Sequence, residues 1–377
     1  MPIFDQGYQH WSGELGGRLR RLWAITRGGV RAGRKNPLLR ITLLGAWAPA
    51  LALAGFLCVW GLLERKSSAI AGLMPMLNAF LNFNIIADPK HYRVEVWTLA
   101  YYYFLRTELY LSMILILLVG PQLISKDLRF NALPLYFSRP LRRLDYFVGK
   151  LGVILWFLAL VVIFPSVVAF VLGLACTLDI TVVRDAFPIL LRAIVFGLTV
   201  TASAGLLVLA MSSLTRNSRY VALFWVGIWL VSSITAASLD TALQSQREYA
   251  QRREMARRFE SQRRGPSNSK GRPMMPAPNM GNMGVTEENV IQDAAGDWRP
   301  LFSYTANLLR VGNQVLGTND AWESVSKLLP EGQQGFFLVA QEGDTYPWKW
   351  SAFVLGGLCL VSVLILNTRV KSLDRLR

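Results

Sequence analysis

Few residues in this chain have the types and spacing that chemistry requires. Its only histidines are His10 and His91, and neither sits in an H-E-x-x-H pattern, so a zinc-protease site is not on offer. No G-x-S-x-G occurs. Gly149-Lys150 looks like the end of a phosphate-binding loop. However, Leu144 stands where G-x-x-x-x-G-K-[ST] needs its first glycine, and Leu151 stands where it needs Ser or Thr. The chain is not expected to hydrolyse ATP by that route. Cys58, Cys176 and Cys359 lie in or beside apolar runs and far apart in sequence, which reads as buried thiols rather than a disulfide framework or metal site. No catalytic residue, metal or cofactor is expected in this chain.

What remains is a charged segment, residues 125–146, wedged between two long apolar runs. Lys126, Asp127 and Arg129 open it, and Leu133, Tyr136 and Phe137 form a short apolar stretch. Ser138, Arg139, Pro140, Arg142 and Arg143 close it. The two prolines, Pro134 and Pro140, limit helical continuation and stiffen the segment. Leu133, Tyr136 and Phe137 offer an apolar surface for a partner groove, and the charged residues offer rim contacts that fix orientation. An ordinary basic loop with interfacial aromatics is the plainer reading.

The elements that position this segment are membrane helices. Apolar runs near 20 residues match the hydrocarbon thickness, and the run from Leu151 to Ala175 lacks the polar face of a soluble core helix. The expected fold is all-α and polytopic, with six spans at about 41–63, 107–124, 147–175, 188–211, 219–239 and 350–367. Residues 1–40 form a basic leader, 41–239 carry spans 1–5, 240–349 are a large extracytoplasmic insertion, and 350–377 hold the last span and tail. No cleavable signal peptide is expected, because the first apolar run follows the basic leader and is too long.

The net charge of +16 raises nucleic acid as a partner, but the distribution argues for a membrane instead. Lys and Arg number 8 in residues 1–40, 5 in 125–146 and 4 in 368–377, against a single arginine in 176–187. Density on the short loops therefore puts both termini in the cytoplasm. The 13 basic residues of 240–349 count for little, since long loops translocate largely regardless of charge. The expected location is a cell membrane, a bacterial inner membrane, with membrane lipids as partners and no nucleic acid.

Smaller patterns fill in the rest. Leu15, Leu19, Leu22 and Trp23 give the leader an amphipathic helix on the membrane surface. Glu248, Glu254 and Glu260 each precede an arginine by four residues, extending the fifth span as a solvated helix to about Arg264. Residues 265–284, rich in Gly, Pro, Asn and Met, read as a flexible linker. Leu301, Thr305, Leu308, Gly312 and Leu316 form one helical stripe, for a helix on the outer surface or on neighbouring spans. Ala69 to Ala87 reads as an interfacial helix. The aromatic group Trp97, Tyr101, Tyr102, Tyr103 and Phe104 reads as an interfacial belt before the second span, with Glu108 at headgroup level beside Arg106 and Arg192. Gly197, Thr201 and Gly205 mark a close-packing face on the fourth span.

The ordered set Asp127-Leu128-Arg129, Leu133 to Phe137, Ser138-Arg139-Pro140, Arg142-Arg143, Asp145-Tyr146 and Gly149-Lys150 resembles the first cytoplasmic loop of ABC exporter permeases of the type-2 class. More loosely, the six spans, the basic leader and the insertion with Leu301 to Gly317 are similar as well. The resemblance implies a permease subunit with no ATPase site of its own. It implies two separate soluble ATPase subunits carrying ATP and magnesium, a second permease half as homodimer or heterodimer, and a coupling role for residues 125–146. The family pathway, lined by the second and fifth spans, implicates Ser112, Gln122, Ser232, Ser233 and Thr235. The alternative is a non-transporting scaffold or signalling subunit driven by an associated ATPase.

Overall fold

The computed structural model describes residues 17–75, 77, 83–137, 141–177, 179–238, 299–326 and 346–374, and these are helical throughout apart from short connections. The chain is an all-α polytopic membrane protein. After a leader helix, α1 (Arg18–Gly33), six helices are long and apolar enough to cross a membrane. They are α2 (Pro37–Glu64), α3 (Arg93–Arg129), α4 (Leu144–Thr177), α5 (Thr181–Leu214), α6 (Ser218–Ser238) and, after the insertion, α9 (Trp348–Arg369). Between α6 and α9 lie α7 (Tyr304–Leu316) and α8 (Thr318–Ser326). The expected solvated extension to Arg264 and the linker 265–284 fall outside the described residues. Of the stretch Ala69 to Ala87, a 3-10 turn, Ser68–Leu73, and a short helix, Phe83–Ala87, are described.

Local chemistry sets the helix ends. Asn36 accepts the Leu38 N–H with Pro37 behind it, and Asn217 accepts the Arg219 N–H, so both α2 and α6 start on side-chain caps. Helix α3 breaks at Gly120-Pro121 and restarts because Ser212 on α5 receives the Ile124 and Ser125 N–H groups (3.1 and 2.9 Å) while donating to the Pro121 carbonyl. Helices α4 and α6 each contain a π-turn, Ala159–Ile163 and Gly227–Val231.

Small residues set the packing. Helix α1 runs beside α4, with Ile25 against Gly149, Gly29 against Val153 and Gly33 against Phe157, and Thr26 donates to the Gly149 carbonyl (3.0 Å). Of the expected stripe, Leu19 stays exposed, Trp23 is half exposed with its ring edge-on to Trp156 of α4 at 5.7 Å, and Leu15 lies outside the described residues. Helices α2 and α4 run side by side, meeting at Gly61 and Gly173. Gly197 touches Val162 and Gly205 touches Leu151, so the small-residue face of α5 is a packing face on α4.

Two expectations need correction. The second span begins at Arg93, well before residue 107, and the aromatic group lies inside it. Trp97 and Tyr101 are buried, Trp97 edge-on to Phe170 at 5.9 Å and the Tyr101 hydroxyl donating to the Ser166 carbonyl at 2.8 Å. Aromatic and polar side chains lower hydropathy even where their polar tips find partners inside the bundle. Glu108 belongs to the same helix. It lies about 22 Å along α3 at 1.5 Å per residue, fully buried. Arg106 turns away to the Tyr102 hydroxyl, and Arg192 donates to the Leu316 carbonyl.

Helix α7 packs on the spans rather than lying apart from them. Thr305, Leu308, Gly312 and Leu316 are its buried face, as the stripe predicts, and Gly312 sits against Phe196. Ser303 caps the first turn, and Gly317, at φ 72°, ends the helix in the left-handed conformation that suits glycine. The Tyr304 hydroxyl meets Ser203 at 2.8 Å and its ring meets Trp225, while Ser233 bonds Thr305 at 2.8 Å. The insertion thus hydrogen-bonds to α5 and α6.

Candidate coupling surface

The segment between α3 and α4 starts and ends on one carboxylate. Asp127, near the end of α3, takes the Lys150 ammonium at 2.6 Å and the Tyr146 hydroxyl at 2.6 Å, both on α4. The Lys150 ammonium lies 5.4 Å and 5.8 Å from the ring centroids of Tyr146 and Tyr136, and those rings are 5.3 Å apart. Burial, then the adjacent Asp127 carboxylate, pushes the Tyr136 phenol up, so it stays protonated. Asn131, at φ 51°, ends α3 in a left-handed turn, and the Ala132 N–H returns to the Asp127 carbonyl at 2.9 Å. A short helix, Leu133–Phe137, follows. A few residues on, Asp145 is buried and takes the Arg18 guanidinium at 2.7 Å, tying the leader to the start of α4.

The structure distributes the candidate residues between two layers. Asp127, Leu133 and Tyr136 face inward: Leu133 is buried in the chain's own core and Tyr136 packs against it. Lys126, Arg129 and Arg142 are exposed. Phe137 closes the short helix and Arg143 opens the regular part of α4, while Ser138, Arg139 and Pro140 fall outside the described residues. Phe130, 73% exposed with the Arg129 guanidinium 5.8 Å from its ring centroid, and Leu144, 68% exposed, are the outward apolar side chains that flank this turn. Beside them a cleft of about 400 Å³ is lined by Arg129, Arg216, Asn217, Ser218 and Arg219, giving the face a basic rim.

Sequence reasoning missed Phe130, Leu144 and Arg18 as members of this surface, and missed the pairing of Lys150 with Asp127. Periodicity offers little help for a single residue at a turn. Arg18 and Asp145 are separated by 127 residues, so no local pattern connects them. Gly149-Lys150 stands in the ordered set that carries the resemblance, but nothing local pairs Lys150 with Asp127, although its place six residues after Leu144, on the first turns of a span, is where a buried lysine demands an acid.

The opposite end of the bundle holds a second charged cluster. Arg93 bonds Glu64 through two nitrogens (2.6 and 3.0 Å), Asp185 at 2.9 Å and the Thr181 hydroxyl at 2.9 Å, and Trp60 donates to Glu64 at 2.8 Å. Lys90 pairs with Asp179 at 3.2 Å. The Thr181 backbone N–H and hydroxyl, then Lys90, hold the Asp179 carboxyl below its usual range.

Among the pathway residues that the resemblance implicates, Ser112 lies one turn from Glu108 on α3. Both are fully buried, and neither the Ser112 hydroxyl nor either Glu108 oxygen has a hydrogen-bond partner among the described residues. Gln122 is exposed at the start of the restarted helix, Ser232 and Thr235 bond back to α6 carbonyls, and Ser233 holds α7. No group of three or more His, Cys, Asp or Glu that could hold a metal occurs among the described residues.

No protein-family model matches the chain, and no curated protein matches it.

Proposed function

We propose that the chain is the membrane-spanning permease subunit of an ATP-driven exporter of the type-2 ABC class, with residues 125–146 as the segment that receives force from a separate ATPase. The observation that carries this reading is the Asp127 knot. A lever must be stiff at its root, and this one is pinned at both ends to one carboxylate, braced by two tyrosines and tied to the leader through Asp145 and Arg18. On this reading the end bearing α1 faces the cytoplasm, as the short-loop charges require.

In this assignment the two layers of the segment do different work. Phe130 and Leu144 enter a groove on the ATPase, and Lys126, Arg129, Arg142 and the neighbouring Arg216 and Arg219 fix its orientation through rim charges. Asp127, Leu133, Tyr136, Tyr146 and Lys150 seat the segment on the spans, so that its displacement becomes a displacement of α3 and α4. Partner ATPases bind ATP and magnesium, a second permease half completes a two-sided route, and Glu108 with Ser112 supplies polar groups along it. An intramembrane acid marks such a route by default.

Reconstitution in vesicles with the copurifying ATPase tests the proposal. Wild type supports ATP-dependent export, and Asp127→Asn retains assembly but uncouples hydrolysis from it. A complex in which substrate never stimulates ATP hydrolysis and nothing crosses the membrane would instead favour a scaffold or signalling subunit.

A further inference from the structure

Cys58 on α2 and Cys176 on α4 stand 118 residues apart in sequence, yet the fold places their sulfurs 2.7 Å from each other. The proximity does not depend on one side-chain rotamer. Around the pair the helices approach as closely as helices do: a Cβ on Gly61 would lie 2.9 Å from the Thr177 nitrogen and 3.1 Å from the Cys176 carbonyl carbon, and one on Gly173 would lie 3.0 Å from Leu57 Cβ. The Cys58 thiol also donates to the Leu172 carbonyl at 3.6 Å, and Arg65 donates to the Cys176 carbonyl at 3.3 Å, so both backbones are held in register. Close backbones with facing Cβ atoms are what a disulfide requires. Cys359, on α9, hydrogen-bonds with Ser203 of α5.

We infer that Cys58 and Cys176 are a redox pair that closes to a disulfide stapling the first span to the third. The pair sits at the end of the bundle away from α1, six residues before Glu64 and one before Thr177. On the topology of the proposed function, on which this inference rests for its compartment, that end faces the extracytoplasmic side, where disulfides persist. Closure needs an oxidant, and the class that fits is a soluble dithiol–disulfide carrier of that compartment. The thiolate of Cys176 attacks the carrier's disulfide, and one carrier sulfur leaves as thiolate. Cys58, after giving up its proton, then displaces the second carrier sulfur from the mixed disulfide. The two cysteines lose two electrons and two protons in all, and the carrier departs as its dithiol. Neither residue belongs to the coupling surface, so closure fixes α2 against α4 without touching the segment 125–146.

The test uses the full chain in native membranes, as right-side-out and as inverted vesicles, treated with oxidised glutathione and quenched with N-ethylmaleimide. Peptides are then mapped by mass spectrometry without reduction. The expected result is a linked pair of peptides containing Cys58 and Cys176, present before treatment or formed in right-side-out vesicles. It should be absent from Cys58→Ser, with Cys359 fully alkylated. A link formed only in inverted vesicles keeps the pair and overturns the topology. Full alkylation of both cysteines in both orientations, persisting after the permeant oxidant 2,2′-dithiodipyridine, overturns the pair, as does a glutathione adduct on either cysteine that never resolves.

Discussion

At the end away from α1, Arg93 gathers Glu64, Asp185 and Thr181 from α2 and α5, and the Arg93 and Glu64 side chains are 3% and 1% exposed. At the α1 end, Asp127 serves Lys150 and Tyr146 on α4, and a turn bearing the exposed Phe130 follows it. The first cluster is a clamp: one guanidinium serves three acids, Glu64, Asp179 and Asp185, and a hydroxyl. The second is a hinge root, with one carboxylate shared between the two helices that flank a projecting segment. The first arrangement is the more deeply buried and locks three spans, whereas the second leaves a single handle on two of them.

If that contrast holds, the clamp should dominate stability and the root should dominate coupling. Arg93→Ala strands Glu64 in the interior, and removing one partner of a buried pair costs about 3–5 kcal/mol. The expected outcome is a large fall in melting temperature in detergent and poor recovery from membranes, with Glu64→Gln, which keeps the shape, milder. Asp127→Asn breaks a pair that is partly open to solvent, for about 1–3 kcal/mol. It should lower export per ATP hydrolysed by far more than it lowers melting temperature. Equal stability losses at the two ends would erase the distinction.

Packing offers an intermediate effect. A Cβ on Gly312 would lie 2.5 Å from a Phe196 ring carbon, so Gly312→Ala forces α7 away from α5 at about 1–3 kcal/mol of overpacking. Loss of stability with the coupling ratio intact would place α7 on the clamp side of the comparison. Phe130→Ala should leave melting unchanged and weaken ATPase association by about 2 kcal/mol if it is an anchor, whereas Arg142→Ala should cost less. The smallest effect concerns pH. Because Asp179 is held below its usual range, its contribution is complete above the ordinary aspartate value of about 3.9 and disappears as pH falls through the lowered native value. Wild type should therefore melt above Asp179→Asn at neutral pH, and the gap should close on acidification. A gap that widens below about pH 4 would reverse the sign of the argument.

The six spans were legible because lipid exposure demands long apolar runs, and a helix reveals its own length in sequence. The start of α3 was not, since Trp97, Tyr101 and Arg93 look interfacial until Phe170, Ser166 and Glu64 are seen to meet them. The stripe on α7 was legible from its period, but its hydrogen bonds to Arg192 and Ser203 on α5 and Ser233 on α6 were not. In residues 125–146, residue types identified a charged turn with an apolar centre. Which side chains face outward depends on one left-handed residue, Asn131, and on contacts from Arg18 and Lys150. Hydrophobicity pointed to Leu133 and Tyr136, and the fold turns both inward.

The central claim is that the turn flanked by Phe130 and Leu144 docks an ATPase. A photocrosslinking amino acid placed at position 130, and separately at position 103 on the far half of α3, compares a docking site with an exposed position that should not dock. Illumination of native membranes followed by mass spectrometry should link position 130 to a protein carrying an ATP-binding phosphate loop, with ATP changing the yield, while position 103 captures no such protein. Capture of no ATPase at 130, or equal capture at both positions, would contradict the account.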